Sequence, residues 1–256
     1  MVYKATTLFY GIDSKNQPTK TKGKAMKRIG ILIAGLMGLA LFLNCNPTSS
    51  DNSSGSGTET VKDVDGNIYH TVKIGTQTWT VENLKTTHYN DGTAIPLVTG
   101  ESAWGNLTTG GYCWYNNNSA TYKKTYGAIY NWYAVNTGKL ALAGWHVPTD
   151  AEWGTLSAYL GGDDTAGGKL KEVGTTHWRL PNTRATNSSG FTALPGGCRN
   201  YDGVFHDVGD NGYWWSSTAV DNASSAYSRH LFYNYGDFYW VDDYKNIGFS
   251  VRLVRD

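Results

Sequence analysis

Seven aromatic residues crowd the last third of the chain: Trp214, Trp215, Tyr227, Tyr233, Tyr235, Tyr239 and Trp240, with Asn234, Asp237, Asp242 and Asp243 set between them. Rings beside amide and carboxylate groups are what a sugar face requires: an apolar platform for C–H groups and acceptors for hydroxyls. Trp214, Trp215, Tyr233, Tyr235, Asp237, Tyr239 and Trp240 are therefore the candidate ligand-binding residues. Core packing is the competing reading, because a sheet-rich domain must fill its interior with something. Alternation along a strand puts Tyr233 and Tyr235 on one face and Asn234 on the other, so only a minority of these rings is expected at the surface.

Catalytic chemistry finds little footing. No G-x-S-x-G, P-loop, H-E-x-x-H or C-x-x-C motif is present, and His70, His88, His146, His177, His206 and His230 are scattered. No catalytic residue is assigned. Asp63, Asp65 and Asn67 copy the first ligand spacing of a calcium loop, but Gly66 comes two positions early and no Glu occupies the twelfth position, so a hairpin turn is the better reading. Asp242-Asp243 leaves calcium as the one alternative to an expectation of no cofactor and no metal. Cys113 and Cys198 are either bridged, closing a loop of about 85 residues at roughly 4 kcal/mol of chain entropy, or two buried free thiols.

The element that must position these residues runs from Gly144 to Gly162. Thr149 with Glu152 three residues on forms a capping box, Trp153, Leu156 and Leu160 recur on one face, and Gly161-Gly162 ends the helix. A second helix is expected from Tyr126, Ile129, Tyr130, Tyr133 and Ala134, whose spacing makes a full apolar stripe. Asp65-Gly66 and Gly75-Thr76 mark turns between short strands at Val61–Val64, Ile68–Ile74 and Gln77–Val81. A short helical turn is read at Gly168–Val173. The last 45 residues alternate as four β-rich segments. The expected class is α+β, two helices packed on a twisted, mainly antiparallel sheet with long loops.

Met26 to Asn44 reads as a lipoprotein-type signal, with Lys27-Arg28 before an apolar run from Ile29 to Leu43 and Cys45 as the lipid acceptor. That run is short for a membrane span. Residues 1–25 read as an upstream extension, with Met26 the expected initiator. Residues 45–60 are a Ser/Asn/Gly-rich tether, and residues 61–256 form a single globular domain. Without the seven basic residues and one acid that precede Cys45, the net charge falls from +1 to −5. A mildly acidic domain is a poor partner for nucleic acid. The expected location is outside the inner membrane, lipid-anchored at the outer membrane or cell surface.

Seven ordered blocks, GTQTWTVENL (75–84), GYCWYNN (111–117), YGAIYNWYAV (126–135), GWHVPTDAEW (144–153), GFTALPGG (190–197), GYWWSST (212–218) and GFSVRLVRD (248–256), resemble the Fibrobacter succinogenes major paralogous domain. The resemblance implies a bacterial surface lipoprotein domain of undetermined molecular function. Val147–Trp153 and Gly248–Arg252 are also similar to segments of the C-type lectin-like fold and its sulfatase-modifying-factor branch, which implies a C-type lectin-like architecture. The cysteine pair that the formylglycine-generating members use near the chain end has no counterpart beyond Cys198, so that activity does not carry over. The function expected is a non-catalytic surface module binding polysaccharide or a protein partner. The alternatives are an extracellular enzyme acting on polymer and a structural or adhesive envelope component.

Overall fold

The computed structural model describes residues 59–221 and 224–255. The leader, Cys45 and all but the end of the tether lie outside those residues. The described chain is a mixed fold of short, antiparallel sheets with few helices.

It opens with β1 (Thr60–Lys62), β2 (Ile68–Ile74) and β3 (Gln77–Thr80). Asp63 builds the first turn. Its Oδ1 accepts the N–H groups of Asp65 and Asn67 at 3.0 and 2.9 Å, and its Oδ2 accepts from Asn67 Nδ2 and the Tyr69 hydroxyl. Both oxygens are thus committed to the hairpin, as the turn reading requires.

Next come α1 (Glu101–Gly105), β4 (Tyr112–Cys113), a 3₁₀ turn at Tyr115–Asn117, α2 (Ser119–Tyr126), β5 (Ile129–Asn131) and α3 (Trp132–Val135). The single helix expected over Tyr126–Ala134 is therefore replaced by a helix end, a strand and one helical turn. Gly127 breaks it: its φ is +77°, and a Cβ there would sit 2.7 Å from the Leu84 carbonyl. Asn131 then starts α3, its Oδ1 accepting the N–H of Ala134 at 3.1 Å and of Gly111 at 3.0 Å. Between these stops β5 pairs with β4 and with a C-terminal strand, which outweighs helical periodicity. Ile129, Tyr130 and Ala134 are buried all the same. Tyr126 and Tyr133 stay half-buried, so the stripe anticipates burial at three of its five positions and misses the conformation.

Helix α4 (Asp150–Tyr159) forms as expected, with both halves of its capping box made. Trp153, Leu156 and Leu160 are buried, and Gly161 and Gly162 follow at φ +99° and +90°. The chain then enters α5 (Asp163–Leu170), which starts five residues before the expected Gly168–Val173 turn and stops three residues short of that turn's end. The remainder is β6 (Gly196–Arg199), β7 (Phe205–Val208), β8 (Asn211–Ala219), β9 (Ser225–Phe232), β10 (Tyr239–Tyr244), β11 (Gly248–Phe249) and β12 (Val254–Arg255).

Three sheets result, ordered β1-β2-β3-β12, β10-β9-β8 and β4-β5-β11-β6-β7. The two ends of the described region share the first of them. In the second, β8 alternates its tryptophans between two cores. Trp214 packs with Trp153, Phe191 and Phe238 under α4, and Trp215 packs with Tyr130, Tyr213 and Phe249 on the other side. Arg252 is wholly buried where strands and loops converge. It donates to Asn83 Oδ1 and the Thr80 carbonyl at 2.7 Å, and to the Phe191 and Thr192 carbonyls at 3.0 Å.

Cys113 and Cys198 are two buried free thiols. They sit on β4 and β6, with β5 and β11 between them. At about 4.8 Å per strand that separation is roughly 14 Å, twice the ~7 Å a bridge tolerates. The disulfide alternative is thereby corrected.

Candidate ligand-binding cleft

The β9–β10 register decides which residues share a face. Trp240 lies opposite Arg229 and Asp242 opposite Tyr227, so these four project together, while Ser228, His230, Tyr239 and Val241 project the other way. β10 is the edge strand of its sheet. Trp240 is 45% exposed, and its ring meets the Tyr227 ring edge-on at 6.2 Å.

Opposite this wall runs the outer side of α4, and the two enclose a cleft of about 500 Å³. Its floor is the small residues Ala151, Gly154 and Ala158. Gly154 lies inside the helix, where glycine costs about 0.5–1 kcal/mol relative to alanine. Nothing stands within 4 Å of a Cβ built on it, so packing does not call for glycine there.

The polar groups come from where the two helices begin. Asp150, the first residue of α4, pairs its Oδ1 with Arg229 Nη2 at 2.5 Å, and its N–H donates to Thr218 Oγ1 at 3.0 Å. Asp163, the first residue of α5, accepts from Ser157 Oγ through its Oδ1, while its carbonyl accepts the N–H of Phe238 at 2.7 Å. Each acid keeps its other oxygen, Oδ2, without a partner among the described residues. Arg229 is 3% exposed and lines the cleft, its guanidinium lying 5.7 Å from the Phe238 ring. Burial pulls its pKa below the ordinary guanidinium value, against the opposing charges of Asp150 and Asp163. Only Nη2 is hydrogen-bonded; Nε is buried without an acceptor. A cleft with stacking rings, two free carboxylate oxygens and a held guanidinium offers both halves of hydroxyl recognition.

The seven residues expected at the site are scattered. Trp214 and Trp215 are 1% and 0% exposed, and their indole N–H groups are spent on Asn83 Oδ1 and the Tyr130 carbonyl, both at 2.9 Å. They are core and cannot stack on a ligand, because strand β8 is covered on both faces. Tyr233 lies against Arg179, with the guanidinium 5.2 Å from its ring. Tyr235 and Tyr239 pack with Phe232 on the far side of the hairpin, and the Tyr239 hydroxyl donates to Asp237 Oδ2 at 3.2 Å. Trp240 alone of the seven reaches the cleft. Asp150, Asp163, Gly154 and Arg229 were not foreseen. Capping accounted for the start of α4, and no sequence signal sets which residue of β9 faces Trp240.

His146 serves as scaffold: its Nε2 bonds Glu152 Oε1 at 2.6 Å, while Glu152 Oε2 accepts the N–H and hydroxyl of Thr149 at 2.7 and 2.8 Å. Asp243 is drawn inward to Ser228 and His230. Among the described residues no group of three or more His, Cys, Asp or Glu side chains is gathered as a metal site.

The model of the Fibrobacter succinogenes major domain matches residues 72–255, most of the chain. The chain belongs to this family. For this Fibrobacter succinogenes major domain the match runs from β2 through β12, and so takes in both walls of the cleft. No curated protein and no solved structure matches it significantly.

Proposed function

We propose that this chain is an extracellular, non-catalytic module that binds polysaccharide, tethered to the outer membrane or cell surface through a lipid on Cys45. One observation carries the reading: an exposed tryptophan, Trp240, set edge-to-face with Tyr227 over a cleft holding Asp150, Asp163 and Arg229. Rings of this kind contribute apolar contact to the C–H face of a sugar while the acids and guanidinium take its hydroxyls.

The non-catalytic part rests on the one Ser/His/Asp cluster in the described chain. Ser228 Oγ and Asp243 Oδ2 lie 2.8 and 2.9 Å from the same nitrogen of His230, Nε2. A nucleophilic relay uses the two ring nitrogens separately, and Ser228 is fully buried. The cluster reads as a satisfied polar network.

A C-type lectin-like architecture is part of the proposal. It is supported by the pairing of the segment before α4 with the terminal strand, where His146 and Val254 exchange both backbone hydrogen bonds at 3.0 Å.

The test is an array of cell-wall and storage polymers probed with calcium and with chelator. Binding is expected to survive chelation and to fall at least tenfold in Trp240→Ala, whose melting temperature stays within a few degrees of the parent. Loss of binding in chelator would transfer the site to an acidic calcium cluster. Silence on every polymer would transfer the role to a protein partner or to envelope structure.

A further inference from the structure

Resting on the polysaccharide reading above, we infer that the floor of the cleft is a specificity device: α4 keeps Gly154 bare, between Ala151 and Ala158, so that a sugar ring carrying no acidic group lies flat between the helix and Trp240. Three independent features meet here. The first is the glycine itself, in the middle of a helix, with open space on the side where a Cβ would stand. Such a residue loses helix stability and gains nothing in packing. What it keeps is room, and that room opens into the cleft.

The second is Arg229. It is 97% buried, reaches the cleft, and is held through Nη2 alone; Nε is sealed from solvent, which leaves Nη1 as the unused donor. The third is the charge balance. Asp150 matches the guanidinium, which leaves Asp163 inside the cleft and Asp242 beside Tyr227 on the same face of the hairpin. A uronate or sulfated sugar would bring a like charge against these carboxylates, and like charges at close range are disfavoured. Hydroxyls suit them: each Asp Oδ2 accepts, and the guanidinium donates.

The small-residue surface of α4 and the aromatic wall together fit a ring lying flat, its two faces shielded from water by α4 and by the indole. This is the arrangement in which stacking and hydroxyl hydrogen bonds act on the same sugar. It also makes α4, and not the loops alone, a part of the recognition surface.

The experiment compares the full chain with Gly154→Leu, Gly154→Ala and Ala158→Leu on neutral polymers such as β-glucan, xylan and mannan and on acidic polymers such as alginate and pectate. Gly154→Ala is expected to raise the melting temperature and weaken neutral-polymer binding a few-fold. Gly154→Leu and Ala158→Leu are expected to weaken it at least tenfold without lowering the melting temperature. Ala158 is an exposed helix position, so its variant tests the floor even where a leucine at 154 disturbs the helix. If both leucine variants bind as the parent does while Trp240→Ala fails, the floor inference falls and the polysaccharide reading stands. Tighter binding to acidic polymers than to neutral ones overturns the ligand class. No binding of the parent to any polymer overturns both.

Discussion

Single residues here are governed by what surrounds them more than by their type. Cys113 and Cys198 illustrate the point, because burial pushes the Cys113 thiol up to about 12 and raises that of Cys198 well above its ordinary value. Both are then inert thiols at neutral pH, since the thiolate is the reacting form. In a Cys45→Ser chain, a thiol reagent at pH 8 should label close to none of the native protein and two cysteines after denaturation. Two labelled cysteines in the native state would contradict their burial. None in denaturant would revive the bridge. The aromatic residues divide in the same way: Trp214 on β8 and Trp240 on β10 are one residue type in one sheet with only β9 between them, yet one is sealed between a sheet and a helix and the other is exposed. The same contrast separates Arg229, held beside Asp150, from Arg179, whose ion pair with Asp210 is largely exposed and worth little.

At the scale of elements, α4 is both the best-specified piece of the chain and one wall of the cleft. Its capping box was legible because it is local: Thr149 and Glu152 are three residues apart, and the hydrogen bonds they make follow from helix geometry alone. Thr149→Ala should cost about 1 kcal/mol in urea unfolding, and because Asp150 follows the cap directly, ligand affinity should drop with it. Burial acts to raise the Glu152 pKa. The Thr149 N–H, His146 and the Thr149 hydroxyl outweigh that effect and hold the carboxyl below its usual value. A depressed carboxylate stabilises the fold above its unfolded pKa and loses that contribution as pH falls through the folded one. Thermal melts should therefore separate the parent from Glu152→Gln at pH 7, and the separation should shrink below about pH 4. A gap that stays constant with pH would mean that the carboxylate's charge has no part in the cap. The stripe at Tyr126–Ala134 is the counterexample. Ile129, Tyr130 and Ala134 are buried through β5 and α3 rather than one helix, because Gly127 and Asn131 impose stops that periodicity does not register.

The whole molecule is tied together through Arg252. Four acceptors from β3, the segment after it and the Phe191–Thr192 loop converge on one guanidinium, whose burial pulls its pKa down to about 9. Its ring partner is Phe191, with the guanidinium 4.4 Å from the centroid. Arg252→Met should strip the guanidinium from three buried main-chain carbonyls, with Asn83 Oδ1 keeping the Trp214 indole, and cost roughly 3 kcal/mol or more, read as a shifted urea midpoint. The cleft is far from the four acceptors in sequence yet depends on them, since Asn83 Oδ1 also holds the Trp214 indole beneath α4. Sugar affinity in this variant should therefore fall only as the folded fraction falls. A loss of affinity in fully folded protein would give Arg252 a direct part in the site.

By itself the sequence determined the mixed class, the N-terminal hairpins, the start and stop of α4 and the family, because each rests on contacts between residues a few positions apart or on ordered local blocks. It also marked Trp240 as a candidate. Tertiary structure alone decided that Trp214 and Trp215 are interior, that Cys113 and Cys198 stand on separated strands, and that Asp150, Gly154, Asp163, Tyr227 and Arg229 meet Trp240 across one cleft. The reason is physical: which face of a strand is covered depends on what packs there and on the register of its neighbour. Those partners range from Arg229, 11 residues from Trp240, to Asn83, 131 residues from Trp214.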